Sequence, residues 1–280
     1  MICQDFLPSP ALREYIKCYH LRHFVFSDGI GLPYKPYAPR PEQTLAFYPR
    51  GHELVEYVAS SKIIKRPRSY IMGQYVERTN RHLGSRDFIV FLVDFQPGVI
   101  YRITGIPFYE LTNTDIDAEA IFGKEVRWVN ERLSATASYE EMIQIVERFL
   151  LWLVGSMKRA AHPIDAVANL IIKYPEDART VQLAKEAFLC SRQFERKFKE
   201  RLGISPKLYA RIARINKAFR IKYNNINEDW LTIALMCGYH DYQHLVKDFQ
   251  DFAGVTPVNY LVEDTQAPER LFGLQDSSFL

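Results

Sequence analysis

The sequence predicts an α+β chain of two domains: a β-rich, barrel-like N-terminal domain with a following helix, and an all-α C-terminal domain of two helix-turn-helix units joined by one long helix. Three observations carry this. Phe198, Gly203, Ser205, Pro206 and Tyr209 recur 51 residues later as Phe249, Gly254, Thr256, Pro257 and Tyr260, and an internal repeat of this size marks a duplicated structural unit. Before residue 160 the pattern changes to short β-branched and aromatic runs separated by Pro and Gly, the rhythm of antiparallel strands. Between the two textures lies one apolar-rich helical stretch.

In chain order, the Pro-rich piece from Pro33 to Pro41 reads as an extended lead-in. Residues 44–48 (TLAFY), 53–59 (ELVEYVA), 69–76 (SYIMGQYV) and 88–95 (FIVFLVDF) read as strands, with turns at Pro49-Arg50-Gly51 and Pro97-Gly98, and together as a small antiparallel sheet or barrel. Residues 139–154 (YEEMIQIVERFLLWLV) form a helix with Glu140, Glu141, Glu147 and Arg148 on its polar side. It is too short and too charged to span a membrane, so its apolar side must be buried against protein. Residues 155–162 are the natural linker. The domains are expected at 1–157 and 158–265, with 266–280 as a tail.

In the C-terminal part each copy opens with a short apolar helix, carrying Leu183-Ala184 and then Ile233-Ala234, and Gly238 closes the first helix of copy two. A second helix starts at Cys190-Ser191 in one copy and at Asp241 in the other, residue types among which Ser and Asp cap free N–H groups. Phe194 and Phe198, matched by Leu245 and Phe249, stand four apart and share one face. That face is core, and the opposite one is long and polar. Such a pair of helices presents its second member to the major groove of DNA. Between the copies Ser205-Pro206 reads as N-cap and first helical residue of a helix running to Lys222. At 1.5 Å per residue it would be about 27 to 30 Å long, against about 34 to 36 Å for one turn of DNA. Two recognition helices could then reach successive major grooves, with no palindrome required.

Charge is unequal between the copies. From Arg179 to Lys222 there are thirteen Lys or Arg against three acids, Glu186, Glu195 and Glu200; from Tyr223 to Val262 there is one base, Lys247, against five acids. Because phosphate attraction supplies most non-specific affinity, the first copy is expected to dominate binding.

The strings CSRQFERKFKERLGISPKLY (190–209) and IALMCGYHDYQHLVKDFQDFAGVTPVNY (233–260) resemble the two-motif DNA-binding domain of the AraC/XylS family of bacterial transcription regulators. By position, the resemblance puts base-facing residues at Arg192, Glu195 and Arg196 in copy one and at Tyr242, Gln243, His244 and Lys247 in copy two; Gln193 and Lys199, on the same outward face of the first copy, are expected to join the DNA contacts. Cys190 and Lys247 stand where many members have a Ser cap and an Arg. More loosely, the first part, with FQPGVIYRITGIPFYELTN (95–113) after a strand core, resembles the sensor domain of these regulators. In such a domain Phe47, Tyr57, Tyr75, Phe91 and Phe95 are the candidates to line an effector pocket.

The implied function is a sequence-specific regulator that reads promoter DNA under control of an N-terminal effector or dimerisation domain. The alternative keeps the fold and gives that domain dimerisation or protein contacts only. Expected partners are double-stranded promoter DNA, RNA polymerase, a small-molecule effector and a second copy of the chain. No cofactor or metal is expected: His20 and His23 are three apart, which places them on opposite faces of a strand, and no HxH pattern occurs. The four cysteines form no CxxC pair or disulfide framework, and with no apolar leader or membrane-length run a cytoplasmic protein is expected. No GxSxG, HExxH or GxxxxGK motif points to an enzyme.

Overall fold

Alternation along the central strand organises the N-terminal half of the computed structural model, which describes residues 2–29 and 31–274. Ten strands form it: β1 (Ile2–Phe6), β2 (Ile16–Val25), β3 (Tyr34–Tyr37), β4 (Gln43–Arg50), β5 (Glu53–Tyr57), β6 (Lys62–Lys65), β7 (Ser69–Met72), β8 (Thr79–Leu83), β9 (Asp87–Phe95) and β10 (Asp115–Asp117). They build a six-stranded sheet in the order β1-β2-β9-β4-β7-β10 and a four-stranded sheet in the order β3-β8-β5-β6, with every neighbouring pair antiparallel.

On β9, Ile89, Phe91, Val93 and Phe95 point to one side of the large sheet, where Tyr19, Leu21, Leu45, Phe47 and Ile71 join them. Phe88 and Val90 point to the other side, with Phe24, Ala46, Tyr48, Tyr70 and Met72. The first side is covered by helices α1 (Val99–Thr104), α2 (Ala118–Phe122), α3 (Lys124–Ala135) and α4 (Tyr139–Gly155). Met142, Ile145, Val146, Phe149, Leu150 and Leu153 of α4 are buried at helical spacing, and the Phe149 ring meets Phe47 edge-on at 6.4 Å. The other side faces the small sheet. A strand covered on both faces needs apolar residues at both parities, which is why FIVFLVDF has almost no polar break.

The C-terminal half is helical: α5 (Pro163–Lys173), α6 (Thr180–Glu186), α7 (Ser191–Leu202), α8 (Pro206–Asn224), α9 (Trp230–Met236), α10 (Tyr242–Ala253), α11 (Pro257–Asp264) and α12 (Pro268–Leu271). The Ser205 hydroxyl accepts the Leu208 N–H, and α8 runs 19 residues from Pro206, as the N-cap and proline predict.

Three places depart from the sequence expectation. The Pro-rich lead-in contains β3, an edge strand, where the missing N–H of Pro36 is tolerated. Three of its proline carbonyls take hydrogen bonds from the helical half: Tyr260 donates to Pro36 O at 3.0 Å, Asn216 Nδ2 to Pro39 O at 2.8 Å and Tyr209 to Pro41 O at 3.3 Å. The second departure is β2, which the sequence reading does not anticipate: His20 and Arg22 are buried on one face while Tyr19 and Leu21 are buried on the other, so hydropathy alternates but burial does not. Third, the segment after Thr265 is built into the fold. It forms α12, and Phe272 stacks on Phe24 with ring centroids 6.0 Å apart and lies 5.0 Å from Phe26. Residues 275–280 of the expected tail lie outside the described residues.

Candidate nucleic-acid interface and interior cavity

On α7, Phe194 and Phe198 are fully buried, their rings 5.6 Å apart. This anchors the opposite face outward, where Arg192, Gln193, Glu195, Arg196 and Lys199 are all exposed. Among the described residues no carboxylate lies at ion-pair distance from Arg192, Arg196 or Lys199, so Glu195 and Lys199 do not form the i,i+4 pair their spacing allows. Cys190 occupies the N-cap without a side-chain cap, whereas Asp241 caps α10 by accepting the His244 N–H at 2.9 Å.

On α10, Leu245 and Phe249 are fully buried, and Gln243, His244 and Lys247 are exposed. Tyr242 is half-buried against the helical core. The offset between copies is 50 residues at Leu183/Ile233 and 51 at Phe194/Leu245, because the second turn holds one residue more. In the first turn the left-handed backbone falls on Phe188, at φ 56°, and in the second on Gly238, at φ 72°.

The charge contrast between the copies is smaller in space than along the chain. Arg201 is bound to Asp165 through both carboxylate oxygens at 2.6 and 2.5 Å, Lys217 to Glu176 at 2.7 Å, and Lys222 donates to the carbonyls of Ile226 and Glu228. Arg211 reaches across to α10 and takes Asp248 and Asp251, each at 2.6 Å, with Tyr239 donating to the second oxygen of Asp248 at 3.0 Å. With Arg214, which donates to the Pro175 carbonyl, at least five of the thirteen bases are spent on the fold, and two of the five acids of copy two are neutralised by Arg211.

A cavity of about 80 Å³ lies between the two sheets, several times the roughly 10 to 15 Å³ that one water needs. Its walls are the residues of opposite parity to the helix-facing core: His20, Arg22 and Phe24 on β2, Phe88, Val90, Leu92 and Asp94 on β9, Tyr70 and Met72 on β7. Pro268 and Glu269 of α12 lie at its edge. His20 holds Asp5 at 2.7 Å and Asp94 at 3.0 Å, and Thr44 donates to Asp94 at 2.6 Å. Burial works against a charged His20 ring, but the two carboxylates outweigh it and raise its pKa to about 9. Asp94, disfavoured by burial yet held by His20 and Thr44, is lowered to about 2.

None of the five aromatic residues expected to line a pocket lines this cavity. Phe47, Phe91 and Phe95 point to the helix-covered side of the sheet. Tyr57 and Tyr75 pack in the cluster between the sheets, their hydroxyls 3.1 Å apart, beside the cavity rather than in its wall. The wall residues were accessible to sequence only as their neighbours one position away, and the one direct signal was charge at inward strand positions, His20, Arg22 and Asp94. His20 and His23 do face opposite sides: His23 meets Tyr139 of α4 at 2.7 Å. Two sets of potential metal ligands come within 4.8 Å among the described residues, Asp5-Cys18-His20 and His240-Asp241-His244. In the first, both ring nitrogens of His20 are already engaged by carboxylates.

A helix-turn-helix domain model matches residues 183–262, and a domain of unknown function, DUF6597, matches residues 4–117. No curated protein sequence matches the chain. Among solved structures, ToxT from Vibrio cholerae strain SCE256 with an unsaturated fatty acid bound is 10% identical, with a TM-score of 0.50 over 90% of this chain and 97% of that one. A second ToxT structure from Vibrio cholerae gives 11% identity and a TM-score of 0.49 over 88% and 98%. The AraC-like transcriptional activator CuxR gives 12% and 0.25 over 72% and 86%. At such identities the first likeness is one of fold alone. No helix among the described residues is long and apolar enough to cross a membrane. With two helix-turn-helix units on one connecting helix, residues 183–262 form a helix-turn-helix domain of the double, AraC-type arrangement that the sequence resembles.

Proposed function

We propose that this chain is a sequence-specific regulator that docks both recognition helices, α7 and α10, on promoter DNA. The observation that carries the reading is the outer face of α7: Arg192, Arg196 and Lys199 are exposed and held by no carboxylate among the described residues, on a helix fixed from behind by two fully buried phenylalanines. Arginine to guanine is the commonest specific base contact, and Lys199 lies where it can meet phosphate. Glu195 can accept from cytosine N4, and Gln243, His244 and Lys247 offer the corresponding face of α10, with half-buried Tyr242 at its edge. At 19 residues α8 is about 28 Å long, a span that suits two grooves on one side of the duplex.

In this reading residues 1–157 are the controlling domain, 158–265 the DNA-binding domain, and the cavity between the sheets holds a small-molecule effector. A second copy of the chain would pair through the α3/α4 surface, where Trp128, Leu151 and Trp152 are exposed large apolar side chains. Contact with RNA polymerase then depends on where the site lies in the promoter.

The test is anisotropy or gel-shift binding of the full chain to its own upstream DNA, titrated with salt, with Arg192 and Arg196 replaced. Specific binding that falls steeply with salt and is lost in the variants supports the reading. No binding to that DNA or to a selected random pool rejects it.

A further inference from the structure

We propose that the cavity between the sheets takes a compact organic monoanion, a small carboxylic acid with an apolar body, whose charge is met by Arg81. The inference rests on the effector reading above and specifies its ligand. Arg81 lines the cavity and is 7% exposed. Every other cationic side chain in the wall has a carboxylate within 4 Å: His20 has Asp94, Arg22 has Asp5, Lys35 has Glu269 and Arg40 has Glu42. Arg81 has none among the described residues. Its Nη2 is spent on the Met72 sulfur at 3.0 Å and its plane lies over the Tyr37 ring at 3.2 Å, while its buried Nε has no hydrogen-bond partner among the described residues.

A buried guanidinium without a carboxylate is costly, because its lost hydration is not replaced. Glu53, the remaining acid of the wall, is held by Arg66, so Arg81 presents a positive charge with no carboxylate in contact and a donor unused, the complement of one carboxylate. The rest of the wall sets the body of the ligand: Phe24, Met72, Leu83, Phe88 and Val90 are apolar, and the volume admits a short or single-ring molecule rather than a long chain. The cover is the chain's own C-terminal segment. Pro268 and Glu269 are buried at the cavity's edge, Lys35 ties Glu269 down, and Phe272 stacks on Phe24, itself a wall residue. This segment follows α11 directly, so a ligand that shifts it acts on the end of the second helix-turn-helix unit.

The experiment is thermal unfolding of the full chain at pH 7, free of carboxylate buffers, with benzoate and hexanoate against benzamide and hexanamide. At saturating concentration the acids are expected to raise Tm by about 4 °C or more, and the amides to have no effect. Arg81→Met, of similar length and uncharged, should abolish the response to acids without lowering the ligand-free Tm. Arg81→Lys keeps the charge and should retain a weaker response, which separates loss of the site from loss of the fold. Equal shifts with acids and amides, an undiminished response in Arg81→Met, or no shift with either acid would each overturn the proposal. DNA binding of the same preparations is read separately: acid binding without DNA binding sinks the regulator reading alone, and DNA binding without acid binding sinks this one alone.

Discussion

Arg196 stands one helical turn beyond Arg192 on α7, exposed and with no carboxylate partner among the described residues. If it pairs with a base, Arg196→Ala costs about 1 to 3 kcal/mol of binding and relaxes preference at one position; equal loss on every sequence in a binding-site selection would mark it as a phosphate contact. Lys199→Ala is expected to reduce the slope of log affinity against log salt by about one unit with sequence preference unchanged, a result that salt-titrated anisotropy checks. His20 supports a prediction on pH. Its folded pKa, raised to about 9 over an ordinary 6.5, means its contribution to stability is complete below about pH 6.5 and is lost as pH rises through 9. On the order of 3 kcal/mol is at stake. Urea unfolding across that range should show the decline in the wild type and a flatter profile in His20→Gln. These outward and inward positions differed in legibility. The α7 and α10 faces follow from i,i+4 apolar spacing, whereas Asp5 and Asp94 become partners of His20 only through strand pairing across 15 and 74 residues.

Among the elements, the two recognition helices owe their placement to a few apolar side chains each. Phe198 is fully buried between Phe194 and Tyr209, whose ring meets it edge-on at 5.4 Å. Truncation to alanine should cost roughly 3 to 5 kcal/mol, and a Phe198→Ala chain that keeps its urea midpoint and binds DNA fully would show that the helix is misplaced. The helices were readable because caps, prolines and apolar spacing are local: Ser205-Pro206 starts α8, and Ser138 starts α4. Strands were readable only where pattern and burial agree. The run at 88–95 is apolar at both parities and declares itself, but β2 alternates buried apolar with buried polar residues, and β1, β6, β8 and β10 are short strands that gain their identity from a neighbour. The contrast of charge between the two helix-turn-helix copies was also a reading of the chain in one dimension. Arg211 crosses from α8 to Asp248 and Asp251 of α10, so the acidic copy is less repellent to DNA than its composition implies.

At the scale of the molecule, the β-rich and helical halves are joined along the segment from Pro36 to Gln43. Besides the bonds to proline carbonyls, the Ala38 N–H donates to the Tyr260 oxygen at 3.2 Å and Gln43 donates to the Arg201 carbonyl at 3.0 Å. Tyr260 thus holds this segment against α11 with both functions of its hydroxyl. Tyr260→Phe leaves a buried N–H and a buried carbonyl without that partner, which should cost about 1 to 3 kcal/mol and speed amide exchange at Ala38; unchanged exchange would show that the contact does not hold the halves together. The cavity, the joint and the C-terminal cover all depend on residues far apart in sequence.

The sequence by itself determined the duplicated helix-turn-helix, the faces of its recognition helices and the length of the helix between them, because helices are set by side chains three and four apart. It also determined that a β-rich unit precedes them. Only the tertiary structure decided which strand face lines the cavity, that the Pro-rich stretch is one of the joints between the halves, and that the segment after Thr265 closes onto Phe24. The reason is physical: a strand's two faces differ by one residue of register, and which of them meets helix, sheet or cavity is chosen by partners that local pattern does not encode.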